Sequence, residues 1–240
     1  MSETKDRPLQ ALLNAEHPER ILERARPFME FMMRNKCALR EIETKLNVLN
    51  DEFSTRYNRN PIESIKTRLK SPLSIVQKMQ RRGFELTLEN IESKLNDIAG
   101  IRVICSFPED IYHLADMLCR QDDITVVAIK DYIKHPKPNG YRSLHLILDV
   151  PIFLSTEKRH MRAEVQFRTI AMDFWASLEH QLTYKRENIP DADLVAEELR
   201  ECADIISEMD GRMQHIRKKI DLEKVPSAAQ DIRECAGGEP

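Results

Sequence analysis

The sequence predicts an α+β (mixed α/β) protein in which helices flank and interrupt a small sheet. Three observations carry that expectation. Four β-rich runs lie in the middle of the chain, helical patterns fall among and after them, and a long apolar seam of helical spacing lies at each end.

The N-terminal seam spans 27–57. Phe28, Met32, Leu39, Ile42, Leu46, Leu49 and Phe53 recur at alternating four- and three-residue steps, interrupted only at Asn35. Such a seam packs within its own chain or against another subunit. The β-rich runs are "AGIRVICSF" (99–107), "ITVVAIKDYI" (124–133), "YRSLHLILDVPI" (141–152) and "MRAEVQFRT" (161–169). Between the first two, "PEDIYHLADMLCRQ" (108–121) reads as a helix with Pro108 in its first turn. After the last, "IAMDFWASLEHQLTYK" (170–185) reads as another, with Phe174, Leu178 and Leu182 on one face. The C-terminal seam, 191–224, is unbroken: Val195, Leu199, Cys202, Ile206, Met209, Met213, Ile216 and Ile220. The stretch after Pro226 reads as a loose tail. The expected organisation is a helical region at 1–60, a core at 61–190, a packing or oligomerisation helix at 191–225 and a flexible tail at 226–240.

Within "HPKPNGYRSLHLIL" (135–148), Asn139-Gly140 is a hairpin signal feeding a strand. Strand geometry would place Tyr141 and His145 on one face, about 13 Å apart.

With 41% hydrophobic and 32% charged residues, and only 6 Gly, the composition is globular and helix-leaning. A net charge of −3 excludes a general polycation for duplex nucleic acid, so phosphate binding would need local clusters of basic groups. No long apolar run or signal-peptide pattern occurs, so the expectation is a soluble, cytoplasmic protein without membrane contact. The 5 cysteines are scattered without a Cys-x-x-Cys pair and read as reduced thiols.

Candidate chemistry concentrates on the run 161–169. Alternation sets Met161, Ala163, Val165 and Phe167 against Arg162, Glu164, Gln166 and Arg168. A solvated outer face would explain the polar set. If it lies beside Tyr141 and His145, however, the two runs form a floor carrying an acid, an amide, an imidazole and an aromatic ring. Asp97, in "KLNDIAGIRV", and Glu164 could converge as the carboxylate pair of a Mg²⁺ site. Lys66, Arg68 and Lys70 form one basic set; Lys130, Lys134, Lys137 and Arg142 form another. No Gly-x-x-x-x-Gly-Lys loop is present, so phosphates would have to be held by these side chains.

"RLKSP", "NDIAGIRV", "KDYIKHPKPNGYRSLH" and "EVQFRTIAMDFWASLEH" occur in this order. Together they resemble the synthetase domain of the RelA/SpoT homologue family, over roughly 60–210, and with helices on both sides the chain looks like a small alarmone synthetase. The resemblance implies a nucleotidyltransferase-like mixed sheet and transfer of pyrophosphate from ATP to the ribose 3′-hydroxyl of GDP or GTP, releasing AMP. By motif position, Arg68 and Arg102 would sandwich adenine and Lys70 would meet the ATP phosphates. Asp97 and Glu164 would hold Mg²⁺, with Glu164 near the 3′-hydroxyl. Tyr141 would stack on guanine, Lys130, Lys137 and His145 would face the acceptor phosphates, and Gln166 would line the pocket. Asp173 stands where some relatives carry Asn, at a guanine-contacting position. A homotetramer is the family habit, and regulation by (p)ppGpp or single-stranded RNA occurs among small synthetases. No His-Asp dipeptide occurs, so synthesis without hydrolysis is expected. The competing reading is a catalytically weak, oligomeric nucleotide- or RNA-binding regulator on the same fold. A third reading, another nucleotidyltransferase that moves a nucleotidyl group onto RNA or a small molecule, generally uses a closely spaced acidic pair on one strand, and no such pair is found in the sequence.

Overall fold

The computed structural model describes residues 18–183 and 191–223. Helix α1 (Pro18–Tyr57) is followed by β1 (Ile62–Leu69), α2 (Pro72–Arg81), α3 (Leu88–Lys94) and β2 (Ala99–Cys105). Then come α4 (Pro108–Cys119), β3 (Thr125–Asp131), β4 (Leu144–Phe153), β5 (Lys158–Thr169), α5 (Ile170–Thr183) and α6 (Ala192–Glu223). The strands form one sheet in the order β1-β2-β5-β4-β3, with β2 and β5 parallel and the other neighbours antiparallel. The sheet is therefore mixed, as expected. The loose tail after Pro226 lies outside the described residues.

Alternation decides which face of the sheet is covered. Ala99, Ile101, Val103 and Cys105 of β2 join Ala163, Val165 and Phe167 of β5, and Leu144, Leu146 and Leu148 of β4, in one core. Onto that layer pack Leu39, Ile42, Leu46 and Leu49 of α1 and Ile111, Leu114 and Leu118 of α4. The N-terminal seam is thus satisfied within the chain. Asn35, its interruption, is 2% exposed and donates to Phe31 O at 2.9 Å, so its burial leaves the amide nitrogen paired.

The C-terminal seam behaves differently. Val195, Leu199 and Ile206 are half-buried, whereas Met209, Met213, Ile216 and Ile220 are each about half exposed. Polar contacts anchor this part of α6. Gln214 exchanges hydrogen bonds with Glu109, and Arg217 reaches Asp110. In α5, the face of Phe174, Leu178 and Leu182 is also exposed; Met172, Trp175 and Ala176 make the buried side.

Three elements escaped the sequence reading. β1 carries Lys66, Thr67 and Arg68, all exposed, because it is an edge strand bonded only to β2. Helices α2 and α3 are short and start at Ser71 and Thr87, whose side chains cap Ser74 N and Asn90 N.

Asp110, fully buried in the first turn of α4, binds Arg59 through both oxygens (2.9 and 2.6 Å) and accepts from Arg217 at 3.2 Å. It joins the end of α1, α4 and α6. Asp110→Ala leaves Arg59 without its carboxylate and Arg217 with Asp221 alone, and should cost about 3–5 kcal/mol in urea unfolding. Asp116→Ala, on the exposed side of the same helix, should stay within about 0.5 kcal/mol of the parent. Equal losses would contradict the role given to Asp110.

Candidate active site

The face of the sheet opposite the main core carries a row of side chains set by register. Lys66 pairs with Arg102, Arg102 with Gln166, Gln166 with His145, and His145 with Lys130, so one rung crosses all five strands. Cross-strand partners point to the same side. The adjacent rung runs from Arg68 through Gly100 to Glu164 and Ile147. Gly100 thus leaves the floor open between Arg68 and Glu164. Lys66, Arg68, Lys70, Asp97, Arg102, Glu164 and Gln166 all line one cleft of about 310 Å³. The floor proposed from alternation therefore forms, with Glu164 and Gln166 beside His145.

Asp97 sits two residues ahead of β2 and receives Lys70 Nζ at 2.8 Å and Lys78 Nζ at 2.6 Å, both on Oδ2. Its Oδ1 is buried without a hydrogen-bond partner. Burial raises the Asp97 pKa, but the two lysines outweigh it and hold the carboxyl below its ordinary value. An ionised, half-satisfied carboxylate that shares a cleft with a second carboxylate suits a divalent cation, so Asp97 and Glu164 fit Mg²⁺.

Glu164 Oε1 lies 3.1 Å from His145 Nδ1, and its Oε2 accepts from Gln166 Nε2 at 2.9 Å. Burial again pushes its pKa up; the His145 contact and the Gln166 amide pull it down further, leaving it below the usual range despite the charge of Asp97. Glu164 is held as a carboxylate.

Tyr141 requires a correction. It precedes β4, which starts at Leu144, so it does not stand on the strand about 13 Å from His145 as a strand rise would give. Its ring turns back instead, with its hydroxyl 2.9 Å from His145 Nε2 and the ring centroids 5.8 Å apart. The turn itself forms: Gly140 N donates to Lys137 O at 2.8 Å, and Gly140 has φ +86. Lys137 Nζ stands 4.7 Å from the Tyr141 ring and 4.8 Å from that of Tyr132. Lys130 is exposed at the far end of the rung.

Asp173, on α5, faces cations. Oδ1 accepts from Arg102 (3.1 Å) and Arg168 (3.0 Å), and Lys66 lies 3.7 Å from Oδ2. Arg102, half-buried and beside Arg168, has its pKa lowered, first by burial and then by that neighbour.

Four side chains around the site were not picked out as site residues from the sequence. Lys78 has no local pattern marking it. Lys66 and Arg168 were visible only as members of a basic set and a polar face. Tyr132, edge-on to both Tyr141 and His145, lies within the run 124–133 but just past the end of β3, and nothing in that run singled it out.

Comparison with known proteins decides the family. The model described as the region found in RelA/SpoT proteins matches residues 67–189. The GTP pyrophosphokinase YwaC of Bacillus subtilis is 46% identical over 186 residues, 78% of this chain and 88% of that protein. This chain belongs to the RelA/SpoT family. Among solved structures of that family, small alarmone synthetase 2 of B. subtilis superposes with a TM-score of 0.72 at 42% identity, over 80% of this chain and 98% of that one. Small alarmone synthetase 1 of B. subtilis, bound to its product pppGpp, gives 0.73 at 34%, over 82% and 99%. The RelA/SpoT match spans every site residue from Arg68 to Asp173, while Lys66 lies one position ahead of it.

Two measurements test the local geometry. A Cβ at Gly140 would fall 2.7 Å from Ala203 Cβ, in a backbone region that suits glycine. Gly140→Ala should therefore cost about 1–3 kcal/mol in thermal unfolding, and a neutral result would contradict the packing of α6 on this turn. Glu164 has a folded pKa below its ordinary 4.5, so its stabilisation is fully present above that value and is lost as pH falls from there through the lower folded value. The stability gap between parent and Glu164→Gln, from urea melts, should shrink as pH falls from about 4.5 to about 3. A gap that widens over that range would contradict the pairing.

Proposed function

We propose that this chain is a (p)ppGpp synthetase that moves the pyrophosphate of ATP to the ribose 3′-hydroxyl of GDP or GTP. The observation that carries the reading is the shared cleft. Two ionised carboxylates, Asp97 and Glu164, stand on one floor between a basic set on β1 and β2 and an aromatic, basic set around Tyr141. That arrangement suits two nucleotides meeting across the floor. Its relatives' names, GTP pyrophosphokinase and small alarmone synthetase, support the same activity.

In this reading Arg68 and Arg102 take the adenine between their guanidiniums, and Lys70 meets the ATP phosphates. Tyr141 stacks on guanine; Lys130 and Lys137 neutralise the acceptor's phosphates, His145 faces them, and Gln166 lines the pocket. The 3′-oxygen forms a bond to the β-phosphorus, the bond from that phosphorus to the α–β bridging oxygen breaks, and AMP leaves with the bridging oxygen. Glu164, kept ionised, accepts the hydrogen bond of the 3′-hydroxyl and takes its proton as the bond forms. Its low pKa makes it a weak base. That suffices for a loose phosphoryl transition state, in which alignment and charge neutralisation dominate. Mg²⁺, held by Asp97 and Glu164, would supply the remaining neutralisation of phosphate charge. Asp173 keeps Arg102 in place beside the floor until adenine occupies it.

The exposed Met209, Met213, Ile216 and Ile220 face of α6 is the kind of surface a second copy covers, and a cytoplasmic homotetramer is the assembly we favour.

Incubation with Mg²⁺, ATP and GDP, resolved by anion exchange, should show AMP rising in step with a guanosine tetraphosphate. Glu164→Ala should lower that rate by about a hundredfold or more. Release of free pyrophosphate without a guanosine product, or unchanged turnover in the variant, would overturn the assignment. Removal of the metal with a chelator should stop turnover; a rate that survives chelation would exclude Mg²⁺ from the reaction.

A further inference from the structure

Arg168 closes the polar face of β5 and is 5% exposed. Its NH2 donates to the Tyr141 hydroxyl at 2.7 Å and its NH1 to Asp173 Oδ1 at 3.0 Å. A guanidinium has only donors and stays charged, so both partners must accept from it at any working pH. The Tyr141 oxygen, with one acceptor position used by Arg168, also lies 2.9 Å from His145 Nε2. His145 in turn meets Glu164 through Nδ1. A continuous chain therefore runs from Arg102 through Asp173, Arg168, Tyr141 and His145 to Glu164.

Tyr141 needs such a hold. Its residue lies outside β4, in the segment after the Gly140 turn. The backbone there is fastened to α6, where Arg142 donates to Ala203 O and Asp204. That fastening places the loop but does not by itself orient the ring. Packing on the Trp175–Ala203 cluster limits its turning and the hydroxyl contacts to Arg168 and His145 fix the ring's orientation, with the Arg168 guanidinium 5.0 Å and Lys137 Nζ 4.7 Å from its centroid. An aromatic platform fixed before the base arrives does not spend binding energy on ordering itself.

We infer that Arg168 is a positioning residue for the acceptor nucleotide: without touching it, Arg168 fixes the Tyr141 ring while Asp173 anchors the other arm of its guanidinium. The inference rests on the reading of Tyr141 as the guanine platform.

The test uses the full chain, with GDP affinity measured by calorimetry and KM values measured in turnover. Arg168→Met should weaken GDP binding by about tenfold, the equivalent of one lost hydrogen bond to a charged group, with the KM for ATP within about twofold. Tyr141→Phe keeps the ring and removes only the hydroxyl that Arg168 holds, so it should weaken GDP by a similar factor. The double variant should be no weaker than the worse single one, because both changes break one link. Arg168→Lys should recover at most part of the loss, since one ammonium cannot serve both partners in a fork.

Losses that multiply in the double variant, or ATP and GDP constants that rise together, would overturn the inference. If Arg168→Met does not fold, Tyr141→Phe decides alone, and unchanged GDP affinity in it overturns the inference. A parent protein that binds GDP with these ratios but forms no AMP would sink the synthetase reading and leave the positioning role standing. An active parent with multiplying losses would do the reverse.

Discussion

The parallel pairing of β2 with β5 is the constraint on which the site depends. Everything else in the sheet is antiparallel, and this one ladder, with Gly100 opposite Glu164 and Arg102 opposite Gln166, joins two segments more than sixty residues apart in sequence. A parallel neighbour cannot be reached by a tight turn, so the chain between them must cross over. The crossover supplies α4 to the core face and β3 and β4 to the sheet's far side. A slip of one residue would exchange every polar side chain of β5 with its apolar neighbours. Ala163, Val165 and Phe167, all at 0% exposure, oppose that slip, and the same burial aims Glu164 and Gln166 at the cleft. Packing of one face thus sets the chemistry of the other.

Charge on the polar face is arranged in advance. Asp97 is covered by Lys70 and Lys78, Glu164 by His145 and Gln166, and Asp173 by Arg102 and Arg168. Leaving such groups buried without partners would be costly, so the nucleotide-free protein holds its cations on its own acids. In the proposed reading, nucleotide phosphates bring negative charge of their own, and an exchange of partners on binding would keep the cleft near electrical balance. Asp97 and Glu164, whose partners hold them below their ordinary pKa, suit the metal coordination and hydrogen bonding to a hydroxyl proposed above.

Much of the scaffold was legible from periodicity. The period of two in 161–169 separated core from site side chains correctly because β5 is central and buried on one side. The seam at 27–57 pointed to α1 because its apolar positions all meet one surface. β1 was hidden because an edge strand with Lys66, Thr67 and Arg68 in the open shows no apolar alternation. Tyr141 was misplaced for a related reason: β-rich composition continues upstream of the ladder, whereas hydrogen bonding to β5 begins at Leu144. Individual roles were another matter. Asp97 and Glu164 were plausible as a pair from residue type alone, but the tie from Arg168 to Tyr141 joins residues 27 apart in sequence and leaves no local signature. Roles for Arg68, Lys130 and Asp173 rested on family resemblance.

A structure of the protein with Mg²⁺, GDP and a non-hydrolysable ATP analogue tests the central claim most directly. The GDP 3′-oxygen should lie within hydrogen-bond distance of Glu164, with guanine on Tyr141 and adenine between Arg68 and Arg102. Nucleotides bound away from this floor, for example in the cleft of about 550 Å³ lined by Phe53, Tyr57, His113 and Arg217, would contradict it.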